Sequence, residues 1–267
     1  MAMNDVNLKQ YFDRIGFAGT PDVGWDTLVH IQQNHIASIP FENLNPLMRI
    51  PVELDGEAIF EKIVRKHRGG YCFEHNLLLQ VVLERIGFTV RGLLGRAGQE
   101  PESVGRTHMV LLVTLEGRDY LVDVGYGGLV PTGPLLLEPD IVQTTPNEDY
   151  RIISPDGEYR LEIKLNGHWK RLYEFNLRKQ IIQDFQVANW YTSTSPECIF
   201  THTLVAARSE QGARYTLKDY ELSIYQPDRE IERRTLTSVD DVKAVLETIF
   251  YIDMSGLPKL EKYLRNA

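Results

Sequence analysis

Cysteine is scarce in this sequence: Cys72 and Cys198 are the only two among 267 residues. Two cysteines cannot build the disulfide framework that stabilises small secreted domains. The N-terminus also lacks the basic start and the apolar run of a secretory signal peptide. We therefore expect a cytoplasmic protein that folds without structural disulfides.

Long apolar runs and an excess of positive charge are missing as well. No apolar stretch approaches the ~18–20 residues needed to span a bilayer, so a membrane protein is not expected. With 29 basic and 37 acidic residues the formal net charge is −8, which argues against a broad surface for nucleic acid. The apolar share of 43% and the charged share of 25% are ordinary for a globular protein with more than one small core.

The pattern of apolar residues changes along the chain. In the first third they recur at steps of three and four, which is typical of amphipathic helices. The strongest predicted helix runs from Cys72 to Ile86, and Gly87 follows where a C-terminal cap belongs. From Phe88 onward, short apolar runs alternate with turn residues, which predicts an antiparallel sheet or barrel. Residues 127–148 are predicted to be a long connection, and the last stretch mixes strands with helix.

One segment stands out for its chemistry: residues 67–76 read HRGGYCFEHN. The glycine pair relaxes the backbone just before the strongest helix and so places Cys72 at the helix N-terminus. Unpaired amides and the helix dipole favour negative charge there, and hence the nucleophilic thiolate form. A small buried apolar role for Cys72 is an equally simple interpretation. A metal pair with His75 is disfavoured because no further Cys–His cluster lies nearby.

A thiolate nucleophile needs a base, and the base needs an orienting group. Among the seven histidines, His108 begins the apolar run 109–113, where an unpaired imidazole is costly to bury. Asp123 interrupts the apolar run 120–124, and a carboxylate in such a place is expected to be paired. Hairpin geometry can bring both to one end of a common sheet. Cysteine, histidine and aspartate in this order suit an acyl-transfer triad, although a lone histidine at a strand edge is more often structural.

A glycine-rich loop follows Asp123, where residues 124–131 read VGYGGLVP. Exposed amides in such a loop can receive phosphate oxygens. The loop has neither the Walker pattern nor the dinucleotide-binding register, so an ordinary turn is the simpler interpretation.

Five blocks of the sequence together resemble a known family. They read IPFENLN at 39–45, RGGYCFEHN at 68–76, THM at 107–109, VDVGYG at 122–127 and DFQVANWYTSTSP at 184–196. In this order they are similar to the arylamine N-acetyltransferases of the bacterial type. The resemblance implies an α+β fold around a cysteine-protease-like Cys-His-Asp core. Its parts are an N-terminal helical bundle over 1–87, a central antiparallel β-barrel over 88–190 and a C-terminal α/β lid over 191–267.

The resemblance also implies a reaction. An acetyl group passes from acetyl-CoA to the nitrogen of an arylamine or arylhydrazine, or to the oxygen of an N-hydroxyarylamine, through an acetyl-cysteine. Cys72 corresponds to the acetylated nucleophile, His108 to its proton partner and Asp123 to the orienting carboxylate. Acetyl-CoA is then a co-substrate, and no metal or permanently bound cofactor is implied.

Further residues take roles from the same resemblance. Those of the acceptor pocket are Phe41, Tyr126 and Phe200, and many relatives have phenylalanine in place of Tyr126. Those near the CoA entrance are Gly105, Thr107, Gly127 and Gly128. Those of a structural ion-pair cluster that steadies the cysteine are Arg68, Glu42 and Asn45.

Two other classes of function stay open. A transglutaminase-like or cysteine hydrolase uses the same order of triad residues, and it would act on glutamine or peptide substrates without responding to acetyl-CoA. A catalytically silent protein would bind CoA or an aromatic ligand and leave Cys72 unacylated. The physiological acceptor, the preferred acyl chain and any homo-oligomer are not determined by these residues.

Overall fold

The computed structural model describes residues 5–98, 100, 103–227 and 229–264. Helices dominate the first third, as the periodicity predicts. They are α1 (Asp5–Ile15), α2 (Trp25–Ser38), α3 (Leu44–Leu47), α4 (Gly56–Phe60) and α5 (Cys72–Ile86), with α6 (Ile182–Thr194) and α7 (Val239–Thr248) following later. Helix α4 continues into a π-helical turn over Glu61–Arg65. Within the described ranges, no helix is long and apolar enough to cross a membrane.

An eight-stranded antiparallel sheet forms a nearly closed barrel in the middle of the chain. Its strands are β2 (Thr89–Ala97), β3 (His108–Leu115), β4 (Arg118–Val122), β5 (Leu135–Leu136), β6 (Val142–Thr144), β7 (Asp149–Ile153), β8 (Tyr159–Leu165) and β9 (His168–Phe175). Their order is β5-β4-β3-β2-β9-β8-β7-β6. Asn166 and Gly167 join β8 to β9 with φ of 51° and 80°, as a type I′ hairpin turn requires.

A smaller antiparallel sheet contains residues from both ends of the chain. Its strands are β1 (Phe41–Glu42), β10 (Val205–Glu210), β11 (Ala213–Lys218), β12 (Glu221–Tyr225) and β13 (Glu232–Thr235), in that order. Phe41 pairs with Ala207 and Glu42 with Ala206. The short strand β1 therefore ties the helical first third to the sheet of the last third.

Strand β3 explains why the apolar run after His108 is continuous. Met109, Leu111 and Val113 face a core shared with α1, α2 and α5. Val110 and Leu112 face a second core inside the large sheet. Since both faces are covered, the strand shows no polar alternation. A third core lies between the smaller sheet, α3 and α7.

Two details of the predicted strands are wrong. Residues 127–148 are not a plain connection, because they contain β5 and β6. These strands have only two and three residues, too few to show an apolar period of two. Asp123 does not interrupt a strand either: β4 ends at Val122, and Asp123 is the first residue beyond it.

Candidate active site

Cys72 is the first residue of α5, and the start of this helix is held by side chains. Tyr71 precedes it in an extended conformation. The Tyr71 amide donates to Glu74 Oε2 at 3.1 Å, which is the return arm of a capping box. Lys62 Nζ in turn binds Glu74 Oε1 at 2.7 Å. The first turn of α5, and with it the thiol, is therefore fixed in position.

Two loops enclose the thiol, which is only 4% exposed. Cys72 Sγ donates to the carbonyl of Thr107 at 3.7 Å. On the other side, Gly125 packs directly on the helix start: a Cβ at Gly125 would lie 2.5 Å from Cys72 Cα. Only glycine permits this approach, so the loop after β4 reaches the nucleophile because it is glycine-rich.

His108 and Asp123 meet at one end of the β3–β4 pair, as hairpin geometry predicts. Leu111 pairs with Val122, so the start of β3 and the end of β4 share an edge. His108 Nε2 lies 2.7 Å from Asp123 Oδ2, and both side chains are buried. Because Nε2 is used by the carboxylate, Nδ1 is the ring nitrogen left to face the thiol.

The electrostatics of this pair favour an imidazolium. Burial by itself lowers the pKa of His108, but the Asp123 carboxylate and the Cys72 thiol outweigh it and raise the pKa to about 10. Burial alone would raise the pKa of Asp123, whereas His108 and hydrogen bonds from Gly125 and Asn76 lower it below its ordinary value. At neutral pH the pair is therefore an ion pair in a nearly closed site.

Asn76 is a site residue that the sequence does not predict. It lies one helical turn after Cys72, and its Nδ2 donates to Met109 O at 2.8 Å and to Asp123 Oδ1 at 3.2 Å. Its Oδ1 accepts from the Val124 amide at 3.3 Å. One side chain thus links the nucleophile helix, the histidine strand and the aspartate loop. The available signal is an amide on the buried face of α5, four residues after the cysteine.

Two more unpredicted residues support the same pair. Gln32 on α2 donates from Nε2 to the Pro131 carbonyl at 3.0 Å and to the Asp123 carbonyl at 3.3 Å. The Tyr173 ring on β9 lies 4.7 Å from the His108 ring, centroid to centroid, and is fully buried. The imidazole is therefore held by packing as well as by its carboxylate.

Of the three predicted acceptor-pocket residues, Tyr126 contacts the triad, and Phe41 and Phe200 contact each other. The Tyr126 ring meets the His108 ring edge-on, with centroids 5.2 Å apart. Its hydroxyl donates to the Leu172 carbonyl at 2.8 Å. The rings of Phe41 and Phe200 lie 5.7 Å apart. All three side chains belong to or pack against the core cluster that contains Cys72, and they are called the aromatic wall below.

The four residues predicted near the CoA entrance fall on the two loops that enclose the thiol. Gly105 and Thr107 precede β3, and Gly105 lies beside the Thr107 side chain. Gly127 and Gly128 follow Asp123, and the Gly127 backbone packs against the Phe41 ring. Thr107 contributes the carbonyl that accepts from the thiol.

A buried group of charged side chains, here called the ionic cluster, lies beneath the turn that carries Cys72. Its charged members are Glu42, Lys62, Arg68 and Glu74. Arg68 Nε and Nη2 bind Glu42 Oε1 at 2.9 and 2.6 Å, and Nη2 also binds Asn45 Oδ1 at 3.0 Å. Although burial favours the neutral acid, Arg68 and Lys62 lower the pKa of Glu42 to about 2. The structure thus brings together the three residues of the expected ion-pair cluster and adds two.

The arrangement supplies a thiol at a helix N-terminus, a charged imidazole and an orienting carboxylate in one enclosed site. These are the parts that covalent acyl transfer needs. Among the residues that the structure describes, no group of three or more histidine, cysteine or acidic side chains is placed to hold a metal ion.

Comparisons with known proteins place the chain among relatives of known family. A family model described as N-acetyltransferase matches residues 25–258. The arylamine N-acetyltransferase of Mycolicibacterium smegmatis is 39% identical over 259 residues, which are 94% of this chain and 94% of that protein. The Escherichia coli K12 arylamine N-acetyltransferase is 37% identical over 246 residues, or 91% and 88% of the two chains. The solved structure of the Mycobacterium marinum arylamine N-acetyltransferase in complex with CoA superposes with a TM-score of 0.91 at 37% identity, covering 96% and 97%.

Proposed function

The chain belongs to the arylamine N-acetyltransferase family, and from that premise we propose that it moves an acetyl group from acetyl-CoA to an aromatic amine or hydrazine through Cys72. The observation that carries this proposal is the 2.7 Å pair of His108 and Asp123 beside a thiol at the start of α5. The solved relative in complex with CoA supports the donor. The names of the relatives support the acceptor class.

In the first half-reaction the Cys72 thiolate attacks the carbonyl carbon of the acetyl-CoA thioester. A tetrahedral intermediate forms, and the Cys72 backbone amide, the first of α5, is a candidate donor to its oxyanion. The bond between the acetyl carbon and the CoA sulfur then breaks, and the leaving CoA thiolate takes a proton from the His108 imidazolium. The products are acetyl-Cys72 and free CoA, while His108 is left neutral.

In the second half-reaction the acceptor nitrogen attacks the acetyl carbon on Cys72. Arylamines are weakly basic and therefore neutral nucleophiles at neutral pH. His108 takes the proton from the attacking nitrogen, and the bond from the acetyl carbon to Sγ breaks. The thiolate and the imidazolium are regenerated, and the acetylated amine leaves. Apolar burial and stacking against the wall of Phe41, Tyr126 and Phe200 favour an aromatic acceptor.

The decisive experiment separates the two half-reactions. The protein is incubated with acetyl-CoA alone and digested, and its peptides are weighed by mass spectrometry. We expect one acetyl group on Cys72, free CoA in equal amount and no acetyl group after Cys72→Ser. Cys198→Ser is the matched control and should be acetylated normally. A folded protein that carries no acetyl group on Cys72, or that hydrolyses acetyl-CoA at the same rate with and without an arylamine, would contradict the proposal.

A substitution of the orienting carboxylate tests the proposed triad. Asp123→Asn keeps the shape of the side chain but no longer stabilises the imidazolium or its tautomer. We expect the rate of Cys72 acetylation to fall on the order of 10⁴-fold, as in other triads. A variant that acetylates at the normal rate would remove Asp123 from the mechanism.

A further inference from the structure

Three fully buried side chains, Tyr11, His35 and His75, form a hydrogen-bonded row. Tyr11 Oη lies 2.8 Å from His35 Nδ1, and His35 Nε2 lies 2.8 Å from His75 Nδ1. His75 Nε2 lies 3.1 Å from the carbonyl oxygen of Pro40. This neutral row, Tyr11–His35–His75, connects α1, α2 and α5, and it ends on the backbone next to Phe41.

The end of the row on Pro40 fixes where every hydrogen lies. A carbonyl oxygen only accepts, so His75 Nε2 carries a hydrogen and donates it. In a neutral His75 the other nitrogen, Nδ1, must then accept from His35 Nε2. His35 Nδ1 is consequently an acceptor as well, and the Tyr11 hydroxyl donates to it. Each ring has one tautomer, and that tautomer is set by its neighbours.

The surroundings keep both rings uncharged. Burial is the main cause that lowers the pKa of His75 to about 4, and the Lys62 ammonium acts in the same direction, against the Glu42 carboxylate. Burial also lowers the pKa of His35 well below its usual value, with His75 and Arg14 adding to the effect. The hydrogen pattern of the row is therefore stable at neutral pH.

The row holds the backbone next to Phe41, which is one residue of the aromatic wall. The Pro40 carbonyl belongs to the planar peptide unit that leads into Phe41, and the proline ring fixes the preceding φ. Because His75 holds the Pro40 carbonyl oxygen in place, it also restricts the position of the Phe41 Cα. The Phe41 ring contacts the Phe200 ring and the Gly127 backbone. His75 and Cys72 lie on the same helix, so the row fixes the distance between the nucleophile and the wall.

We propose that His75 is a positioning residue for the acceptor half of the reaction, and that Tyr11 and His35 keep it in the tautomer that donates to Pro40. This inference rests on the proposed function, since it assigns Phe41 to the acceptor site. It predicts that the row affects capture of the amine, whereas the attack of Cys72 on acetyl-CoA does not depend on it.

The first test compares His75→Leu with His75→Gln. Leucine removes the donor to Pro40, whereas the glutamine side-chain amide can still donate. With 4-methoxyaniline as acceptor, we expect the acceptor KM of His75→Leu to rise about tenfold, the size typical of one lost buried hydrogen bond. His75→Gln should recover most of this loss. Acetylation of Cys72 by acetyl-CoA alone, followed by mass spectrometry, should stay within about twofold of wild type in both variants.

The second test starts at the far end of the row. Tyr11→Phe removes only the hydroxyl that fixes the His35 tautomer, and it should raise the acceptor KM about threefold. In the double variant with His75→Leu, Tyr11→Phe should add nothing further, because the row has already lost its end on Pro40. Tyr215→Phe is the matched control: it removes a phenol hydrogen bond to Glu210 in the smaller sheet and should leave the acceptor KM unchanged.

The outcomes separate the two proposals. Wild-type protein without acetyl-Cys72 refutes the proposed function. Normal acetylation with an unchanged acceptor KM in His75→Leu refutes the role of the row, and so does an equal loss in both half-reactions. If His75→Leu does not fold, Tyr11→Phe decides: a raised acceptor KM with normal acetylation of Cys72 supports the proposal, and a wild-type acceptor KM refutes it.

Discussion

Two polar clusters lie near the turn that carries Cys72, and they compensate the cost of burial in opposite ways. The ionic cluster keeps its charges and pairs them: Arg68 binds Glu42, and Lys62 binds Glu74. The neutral row contains no charge, because each of its two imidazoles carries a single hydrogen. All its hydrogen bonds are donated in the same direction along the row. Both clusters contact the same two neighbouring stretches of backbone. One stretch contains Pro40 and Glu42, the other contains Gly70 and Tyr71, and the Glu42 amide donates to the Gly70 carbonyl.

The difference shows what each kind of cluster can tolerate. A paired charge has a large desolvation cost that only its partner offsets, so losing one partner is severe. A neutral hydrogen bond contributes less, and losing it is milder. Acid affects the two clusters differently: the Arg68 and Lys62 charges lower the pKa of Glu42, so it stays ionised down to low pH, whereas the buried imidazoles of the neutral row cannot take up protons without breaking their hydrogen bonds.

The largest effect is expected from breaking the ionic cluster. Arg68→Met removes the guanidinium from Glu42 and Asn45, and it leaves a buried carboxylate that Lys62 only partly compensates at 3.8 Å. We expect a loss of about 3–5 kcal/mol in the free energy of unfolding, measured by urea denaturation. A loss below about 1 kcal/mol would mean that the cluster does not need its arginine.

The second effect is the dependence of stability on pH. The folded-state pKa values of His35 and His75 are lowered. The folded protein therefore has its full stability with respect to these two groups above about pH 6.5, and it loses stability as the pH falls. Two protons taken up on unfolding predict a loss of about 2 kcal/mol between about pH 6.5 and 5.5. Glu42, with its pKa lowered to about 2, loses its contribution only below about pH 4.5.

The same measurement has an internal check. His75→Gln removes one of the two imidazoles that take up a proton on unfolding. It should therefore halve the acid slope, which is the change in the free energy of unfolding per pH unit between about pH 6.5 and 5.5. His108 has the opposite sign: its pKa is raised to about 10, so its stability is present below about pH 6.5 and is lost as the pH rises toward 10. An acid slope that is equally steep in His75→Gln would show that other groups cause it.

A smaller effect is expected from the neutral row. Tyr11→Phe removes the hydrogen bond to His35 Nδ1 and leaves a ring nitrogen without its donor. The expected loss in the free energy of unfolding is about 1 kcal/mol by urea denaturation. A loss as large as that of Arg68→Met would contradict the contrast between the two clusters.

The smallest effect serves as the control for charge. Arg65 lies three residues before Arg68 and pairs with Glu57 at 2.7 Å and Glu61 at 3.1 Å, but these side chains are exposed. Arg65→Met should leave the urea midpoint unchanged, because water screens exposed pairs. A clear shift in Arg65→Met would mean that the sequence position, and not burial, makes arginine important here.

Sequence patterns predict those parts of the site that local structure determines. Glycines before an apolar helix place Cys72 at the start of α5, and a single hairpin brings His108 to Asp123. The strength of these patterns comes from burial, which makes a polar residue within an apolar run conspicuous. The boundaries of α5 agree with the prediction, because its apolar face and the glycine after it are both local signals.

Contacts between distant segments could not be predicted in this way. Gln32 reaches the Asp123 carbonyl from another helix, and His35 finds His75 across α2 and α5. In the sequence these are ordinary polar residues on partly apolar helices, and nothing local names their partners. Strands β5 and β6 were missed because two or three residues are too few for any period, and only their pairing with β4 and β7 defines them.

The pairing of Phe41 with Ala207 has a consequence for the order in which the protein can fold during its synthesis. The partner strand β10 is translated only after the first two hundred codons, and until then Phe41 can form only its bridge to Gly70. The smaller sheet therefore cannot complete its pairing at Phe41 until the last third of the chain has been synthesised.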